Sequence, residues 1–113
     1  MGQGHGMTTF DERERAHEKK FSTEQELAFK AKARRNHILG LWAAEQLGLK
    51  SSAAEAYARE IVAGALAKHG DEGVVHKIEG DFAKKGVKHD EIRIKLELER
   101  FAAEARKQLG VPR

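Results

Sequence analysis

One segment, Ala33-Arg-Arg-Asn-His-Ile-Leu-Gly-Leu-Trp-Ala-Ala-Glu45, has a marked helical pattern and contains the only tryptophan of the chain. At about 100° per residue, Arg35 falls between Ile38 and Trp42, so a charged group lies within the apolar stripe. Charged residues at such places either form ion pairs at a rim between helices or belong to a docking surface. The candidate ligand or docking surface comprises Arg34, Arg35, Asn36, Trp42 and Glu45.

The helix that contains this segment is predicted to run from about residue 23 to residue 47. Ser22-Thr-Glu-Gln25 matches a capping box, and Gly48 suits the left-handed position that follows a helix end. The main apolar stripe consists of Leu27, Ala31, Ile38, Leu41 and Trp42. A second set predicts contact from another direction and consists of Phe29, Ala33, Ala43 and Leu47.

Three further helices are predicted over residues 53–69, 72–85 and 90–109, with glycines 70, 86 and 110 at their ends. A capping box at Ser52-Ala-Ala-Glu55 starts the first, Asp71 caps the second, and His89 or Asp90 starts the third. The connections are short and no segment alternates with period two, which predicts an all-α, four-helix bundle-like domain with antiparallel neighbours. The inward residues are predicted to be Tyr57, Ile61, Val62, Ala65, Leu66, Val74, Val75, Ile78, Phe82, Ile92, Leu96, Leu98, Phe101, Ala105 and Leu109.

The N-terminal part of the chain has a different composition. Residues 1–6 are rich in glycine and are interpreted as an expression remnant or an upstream extension. Residues 7–22 have balanced charges and few apolar side chains, so a helix there is marginal in water. We therefore predict an arm that is mobile when free and becomes helical on a partner, with a solvated first turn of the next helix as the alternative. Residues 23–110 form the predicted four-helix domain, and residues 111–113 form a tail.

The composition excludes several classes of protein. The 113 residues suffice for one domain, and the absence of cysteine excludes disulfides, thiolate metal sites and thiol nucleophiles. No apolar run approaches the roughly 18 residues of a membrane span, so we expect a cytoplasmic protein without direct membrane insertion. The net charge of +3 results from 21 basic and 18 acidic residues, which is weak evidence for nucleic-acid binding. The basic residues near Arg34 also spread around their helix without interleaved aromatic rings, so no nucleic-acid partner is predicted.

Catalytic patterns have little support in this sequence. The six histidines form neither an HExxH motif nor an i,i+4 metal pair, and Ser51 and Ser52 have no neighbouring base. We predict no enzyme activity, no catalytic residue, no metal site and no cofactor. One alternative function is regulation by a small anionic ligand such as ADP or ATP, with Arg34 and Arg35 supplying charge and Trp42 a stacking ring. The competing interpretation is an ion pair of these arginines with Glu45 or with another helix.

Several segments carry a resemblance to a known family. They are Thr8-Thr-Phe-Asp-Glu-Arg-Glu14, Glu24-Gln-Glu-Leu-Ala-Phe-Lys30, Ala33-Arg-Arg-Asn36 and Leu39-Gly-Leu-Trp-Ala-Ala-Glu45. Together they resemble the zeta subunit of alphaproteobacterial F-type ATP synthases. Asp71-Glu72 and Asp90-Glu-Ile-Arg93 agree with the same pattern, and the resemblance covers residues 7–109.

The resemblance implies a four-helix inhibitor of ATP hydrolysis. Its N-terminal segment would enter a catalytic α/β interface of the synthase head as a helix, while the bundle stays outside. His17 departs from the aromatic residue expected there. The partners implied are the α and β subunits, which would hold a monomeric protein at the periphery of the inner membrane. A generic protein-interaction module is a further alternative. The inhibitory residues carried over from the family are Thr8, Thr9, Phe10, Asp11, Glu12, Arg13, Glu14, His17 and Phe21.

Overall fold

Four helices make up the described part of the chain. The computed structural model describes the backbone of residues 5–67 and 70–110 and the side chains of residues 24–65 and 70–110. The helices are α1 (His5–Gln46), α2 (Ser51–Ala67), α3 (Gly70–Lys85) and α4 (Glu91–Leu109). Helices α1 and α3 each pack against both α2 and α4, so the four helices form a ring around one core. The predicted all-α, four-helix architecture is confirmed.

The start of α1 differs from the prediction. The helix begins at His5 and continues through Ser22 and Thr23, so the predicted start near Thr23 is wrong. In a helix interior, serine and threonine each cost only about 0.5 kcal/mol relative to alanine. The following residues, Glu24-Gln-Glu-Leu27, are strong helix formers. A capping-box sequence therefore does not interrupt a helix when the residues on both sides favour it.

Two helix ends follow the glycine pattern that the sequence predicts. At the end of α1, Gly48 has a φ of +82° and the Leu49 amide donates to the Ala44 carbonyl at 2.8 Å. At the end of α3, Gly86 has a φ of +77° and the Val87 amide donates to a carbonyl of the last turn at 2.9 Å. Both ends are Schellman motifs, in which the residue after the glycine also packs against the core.

The core lies between the facing sides of the four helices. Gly40 in α1 allows a close approach to α2, because a Cβ atom at this position would lie only 2.7 Å from the Ala58 Cα atom. The predicted inward face of α3 is confirmed, while Leu66 lies outside the described side chains. The buried core residues are Leu39, Ala43, Ala44, Tyr57, Ile61, Val74, Val75, Ile78, Phe82, Ile94 and Leu98.

The predicted face of α4 is partly wrong. Ile92 and Leu96 are 76% and 60% exposed, whereas Ile94 is fully buried. In a helix, residues two positions apart point about 160° away from each other, so these three residues cannot share one face. Phe29 is also 57% exposed, although it was expected to cover a second apolar side of α1. The stripe that does face inward is spaced four, three and four residues apart and consists of Ile94, Leu98, Phe101 and Ala105.

Candidate functional site

The buried arginine of α1 is bound to the first turn of α3. Arg35 is 8% exposed, and its Nη2 and Nη1 atoms donate to the two carboxylate oxygens of Asp71 at 2.6 and 3.4 Å. Its Nε and Nη2 atoms also donate to Asn36 Oδ1 at 3.1 and 3.0 Å. The prediction of an ion pair with another helix is confirmed for Arg35. The guanidinium group thereby connects α1 to α3 across the bundle.

Trp42 belongs to a separate aromatic cluster. Its ring stacks on His89, with centroids 5.6 Å apart, and meets the edge of the Phe82 ring at 5.8 Å. The guanidinium carbon of Arg93 lies 5.8 Å from the centre of the Trp42 ring. Since His89 lies in the connection just before α4 and Arg93 lies in the first turn of α4, the cluster fixes this end of α4 against α1. Trp42 follows Arg35 by two helical turns, which is about 10 Å along α1.

The residues predicted as one ligand or docking surface lie in separate places. Arg35 and Asn36 are buried beside Asp71, while Trp42 lies in the aromatic cluster. Arg34 and Glu45 are exposed, about 16 Å apart along α1. The structure therefore does not bring the two arginines and the indole ring around one space. Binding of ADP or ATP by these residues stays a prediction.

The predicted arm forms the first part of α1. Its residues 7–22 have a helical backbone, and their side chains lie outside the described ones. The 42 residues of α1 span about 63 Å, whereas the 16–19 residues of the other helices span less than about 30 Å. The longest dimension of the molecule is accordingly 69 Å, against 26 and 25 Å across. The predicted inhibitory residues that lie in this part of α1 are Thr8, Thr9, Phe10, Asp11, Glu12, Arg13, Glu14, His17 and Phe21.

Among the described side chains of α1, burial against the other helices begins near Ala31. Between residues 24 and 30 every side chain is exposed except that of Leu27, which is half-buried. Ala31 is the first buried residue of the described part of α1. The same helix continues toward the N-terminus beyond the bundle, and its backbone is helical from His5 onward.

A comparison with known families assigns the chain to one of them. The sequence profile of the family described as ATPase inhibitor subunit zeta matches residues 7–108. The chain belongs to this family. The match covers both the bundle and the predicted arm, and it confirms the resemblance found in the sequence. A comparison with curated proteins gave no match.

Membership of the zeta family defines the class of function. The family consists of ATPase inhibitor subunits, so the chain is a regulatory subunit associated with ATP synthase and not an enzyme. None of the described helices combines the length and the apolar composition of a membrane-spanning segment. The same part of the chain contains no group of three or more His, Asp or Glu residues placed to hold a metal ion.

A polar contact connects α2 and α3 of the zeta-family bundle. The Tyr57 hydroxyl donates to Asp81 Oδ2 at 2.7 Å, and Lys77 Nζ donates to the same oxygen at 3.1 Å. Burial and the neighbouring Asp81 carboxylate raise the pKa of Tyr57 far above its ordinary value. Burial alone would raise the pKa of Asp81, but the hydrogen bonds from Tyr57 and Lys77 outweigh it, so the pKa of Asp81 is lowered.

Glu97 is a buried charge that was not predicted from the sequence. It is 3% exposed on α4, and its Oε2 atom accepts from Arg93 Nε at 2.9 Å. Its Oε1 atom lies 3.1 Å from Arg100 Nε without the angles of a hydrogen bond, so only charge attraction holds this oxygen. A glutamate between two leucines is typical of a solvated helix face. The sequence feature that could have indicated partners for Glu97 is the pair of arginines four residues before and three residues after it.

Proposed function

We propose that the chain blocks ATP hydrolysis by inserting residues 7–22, as the N-terminal part of α1, into a catalytic α/β interface of an F-type ATP synthase. Membership of the inhibitor family supports this proposal. The structural observation that carries it is the uninterrupted helix from His5 to Gln46, whose described side chains are exposed at residues 24–30, apart from Leu27, and first become buried in the bundle at Ala31. A long helix that projects from a compact bundle can enter a crevice between two subunits while the bundle stays outside.

The proposed mechanism is steric and requires no chemistry from the inhibitor. A helix wedged between two subunits holds the interface in a single conformation, so the catalytic cycle and the rotation coupled to it stop. Because the arm has few apolar residues, its helix gains little stability on its own. Contacts inside the interface supply the missing stability and offset an ordering cost of a few kcal/mol. Inhibition therefore depends on contacts that hold the arm in its helical form inside the interface.

The contact residues proposed within the arm come from the family pattern. Phe10 and Phe21 are its two aromatic apolar side chains and would be the main anchors. The charged groups around them would pair with groups of the α and β subunits. His17 would meet the interface where an aromatic ring is expected. Protonation of its imidazole at low pH would weaken binding, because a charged ring is costlier to bury than a neutral one.

The test is ATP hydrolysis by the cognate catalytic head, titrated with the full chain and with Phe10→Ala and Phe21→Ala variants. We expect the unaltered chain to inhibit and each variant to need about a tenfold higher concentration, since each loses an apolar anchor. Ile92→Ala serves as the matched control, because Ile92 is a large exposed apolar residue of the bundle. A chain that leaves hydrolysis unchanged at every concentration contradicts the proposal.

A further inference from the structure

An open groove lies beside the exposed ring of Phe29, where α1 leaves the bundle. It has a volume of about 520 Å³ and lies between α1, α2 and the last turn of α4. Its floor is apolar, and three long cationic side chains stand at its rim. We call it the basic groove, and its principal residues are Phe29, Lys30, Arg34, Arg59, Val62 and Leu109.

The charged side chains that line the basic groove are cationic, and a carboxylate beside this lining, that of Glu55, lies 3.2 Å from His37 Nε2. Lys30, Arg34 and Arg59 are all exposed, and no carboxylate is among the residues that line the groove. Within the described side chains, none of these three cations forms an ion pair. Most of the other described arginines are paired, as Arg35 is with Asp71. Cations that converge from two helices around an apolar floor are complementary to an acidic surface that also offers an apolar side chain.

The basic groove also lies next to the proposed insertion segment. Phe29 follows Ser22 by seven residues of the same continuous helix, which is about 10 Å along its axis. When residues 7–22 occupy a crevice, the basic groove therefore lies close to its entrance. This continuity selects one partner for the groove, namely the protein surface that surrounds the crevice.

We propose that the basic groove docks on an acidic surface at the mouth of the α/β interface, with Phe29 as the apolar anchor. This inference rests on the proposed function and adds a second contact to it. The three cations speed the encounter and orient the bundle, and the ring of Phe29 contributes a contact that does not depend on salt. The groove thereby sets how far the helix enters, because the bundle stops where the groove meets the head.

The first test compares inhibition of the catalytic head by full-length variants. In Arg34→Glu/Arg59→Glu, we expect the half-inhibitory concentration to rise by about tenfold at low salt and by less at about 0.5 M salt, where exposed charges are screened. In Phe29→Ala we expect an increase of about fivefold at either salt concentration. Thermal unfolding checks that these exposed positions leave the fold intact.

Matched controls separate the groove from general effects of charge and apolar surface. Lys50→Glu reverses an exposed cation in the connection between α1 and α2, at the other end of the bundle. Ile92→Ala removes an exposed apolar side chain on a different face of the bundle. Both controls should inhibit like the unaltered chain. Equal inhibition by the groove variants, the controls and the unaltered chain overturns the docking proposal while leaving the insertion proposal in place.

A photoreactive side chain at position 29 of the full chain provides a second readout that does not depend on inhibition. Cross-linking from this position to an acidic segment of the α or β subunit at the interface mouth supports the docking proposal, even if the chain does not inhibit hydrolysis. The same group at position 92 should give no such product. Cross-linking from position 29 to a surface without acidic residues, or to no subunit of the head, overturns the proposal.

Discussion

Arg35 shows how a charged residue can occupy the inward side of a helix. Its guanidinium group is almost fully buried, yet Asp71 and Asn36 accept four of its hydrogen bonds. Helical spacing predicted that Arg35 would lie among apolar residues and would need a partner. Which acid supplies that partner could not be predicted, because Asp71 is 36 residues away and reaches Arg35 only through the packing of α3.

Loss of the Asp71 carboxylate is expected to destabilise the fold. In Asp71→Ala the buried guanidinium group keeps only its bonds to Asn36, and the free energy of unfolding should fall by about 2 kcal/mol. Glu91→Ala is the matched control, because Glu91 forms an exposed i,i+4 pair with Lys95 at 3.2 Å. That pair should contribute less than about 0.5 kcal/mol. Urea unfolding of both variants measures the difference, and equal losses would contradict this account of Arg35.

Tyr57 is expected to resist ionisation in the folded protein. Burial and Asp81 raise its pKa above the ordinary value of 10.0, so the folded state favours the neutral phenol. A pKa that is higher in the folded state gives a stabilising contribution that is full below pH 10 and declines as the pH rises further. Tyr57 is the only tyrosine, so phenolate absorbance reports on it alone. We expect no phenolate until unfolding begins, whereas the chain in urea should titrate near pH 10.

The Asp81→Asn variant is the control for this titration. It removes the negative charge beside the phenol and keeps an acceptor oxygen in place. The pKa of Tyr57 should therefore move down toward its ordinary value while burial keeps it above that value. A folded, unaltered protein with a phenolate midpoint close to 10 would show that the contact between Tyr57 and Asp81 is not made as described.

At the scale of the helices, the crossing of α1 and α2 depends on the absence of a side chain at position 40. A Cβ atom there would lie 2.7 Å from the Ala58 backbone, so Gly40→Ala must push the two helices apart. We expect a loss of about 1–3 kcal/mol in the free energy of unfolding, as for other overpacked positions. Thermal or urea unfolding of the variant measures this loss.

Gly64→Ala provides the control for this crossing. Gly64 lies inside α2, and a Cβ atom there would meet nothing within 4 Å. Alanine has the higher helix propensity, so this variant should gain about 0.5–1 kcal/mol. Opposite signs at the two glycines would support the close approach, whereas stabilisation by both substitutions would contradict it.

The capping box within α1 can be tested by a pair of alanine substitutions. Because α1 runs through position 22, Ser22→Ala should slightly raise the helix content, through the better propensity of alanine. Asp90 is a cap in the structure, since its Oδ1 atom accepts from the Arg93 amide at 3.1 Å. Asp90→Ala should therefore cost about 1 kcal/mol. Far-UV circular dichroism and urea unfolding measure both effects, and a clear loss of helix in Ser22→Ala would indicate a helix start there.

The C-terminal ends of α1 and α3 were more predictable than the start of α1 or the rotation of α4 about its axis. Glycines 48 and 86 mark helix ends because the left-handed backbone is a local property of these residues. The rotation of α4 depends on which of several apolar positions meets the neighbouring helices. Ile94, Leu98 and Phe101 have helical spacing and form the stripe that faces inward. Ile92 and Leu96 form a second possible stripe in the sequence, and this second stripe was predicted. Packing against the other helices determines which of the two stripes is buried. The stripe that is buried places Glu97 on the inward side of α4.

At the scale of the whole molecule, a short bundle carries one helix that is more than twice as long as each of the other three described helices. The balanced charges and the scarcity of apolar residues in residues 7–22 predicted an arm. The family resemblance predicted the partner of this arm. The basic groove could not be predicted, because Arg59 belongs to α2 and meets Lys30 and Arg34 only after the helices pack. On the sequence of α1 alone, its cations spread around the helix and indicate a solvated surface.

The most direct measurement of the central proposal is ATP hydrolysis by the cognate catalytic head with the full chain and with a variant that lacks residues 7–22. The buried core residues that the structure describes all lie at Ala31 or later, so the variant should retain its helical circular dichroism and cooperative unfolding. We predict that the full chain inhibits hydrolysis and that the folded, shortened chain does not. Equal inhibition by both chains would show that the N-terminal part of α1 is not the inhibitory element.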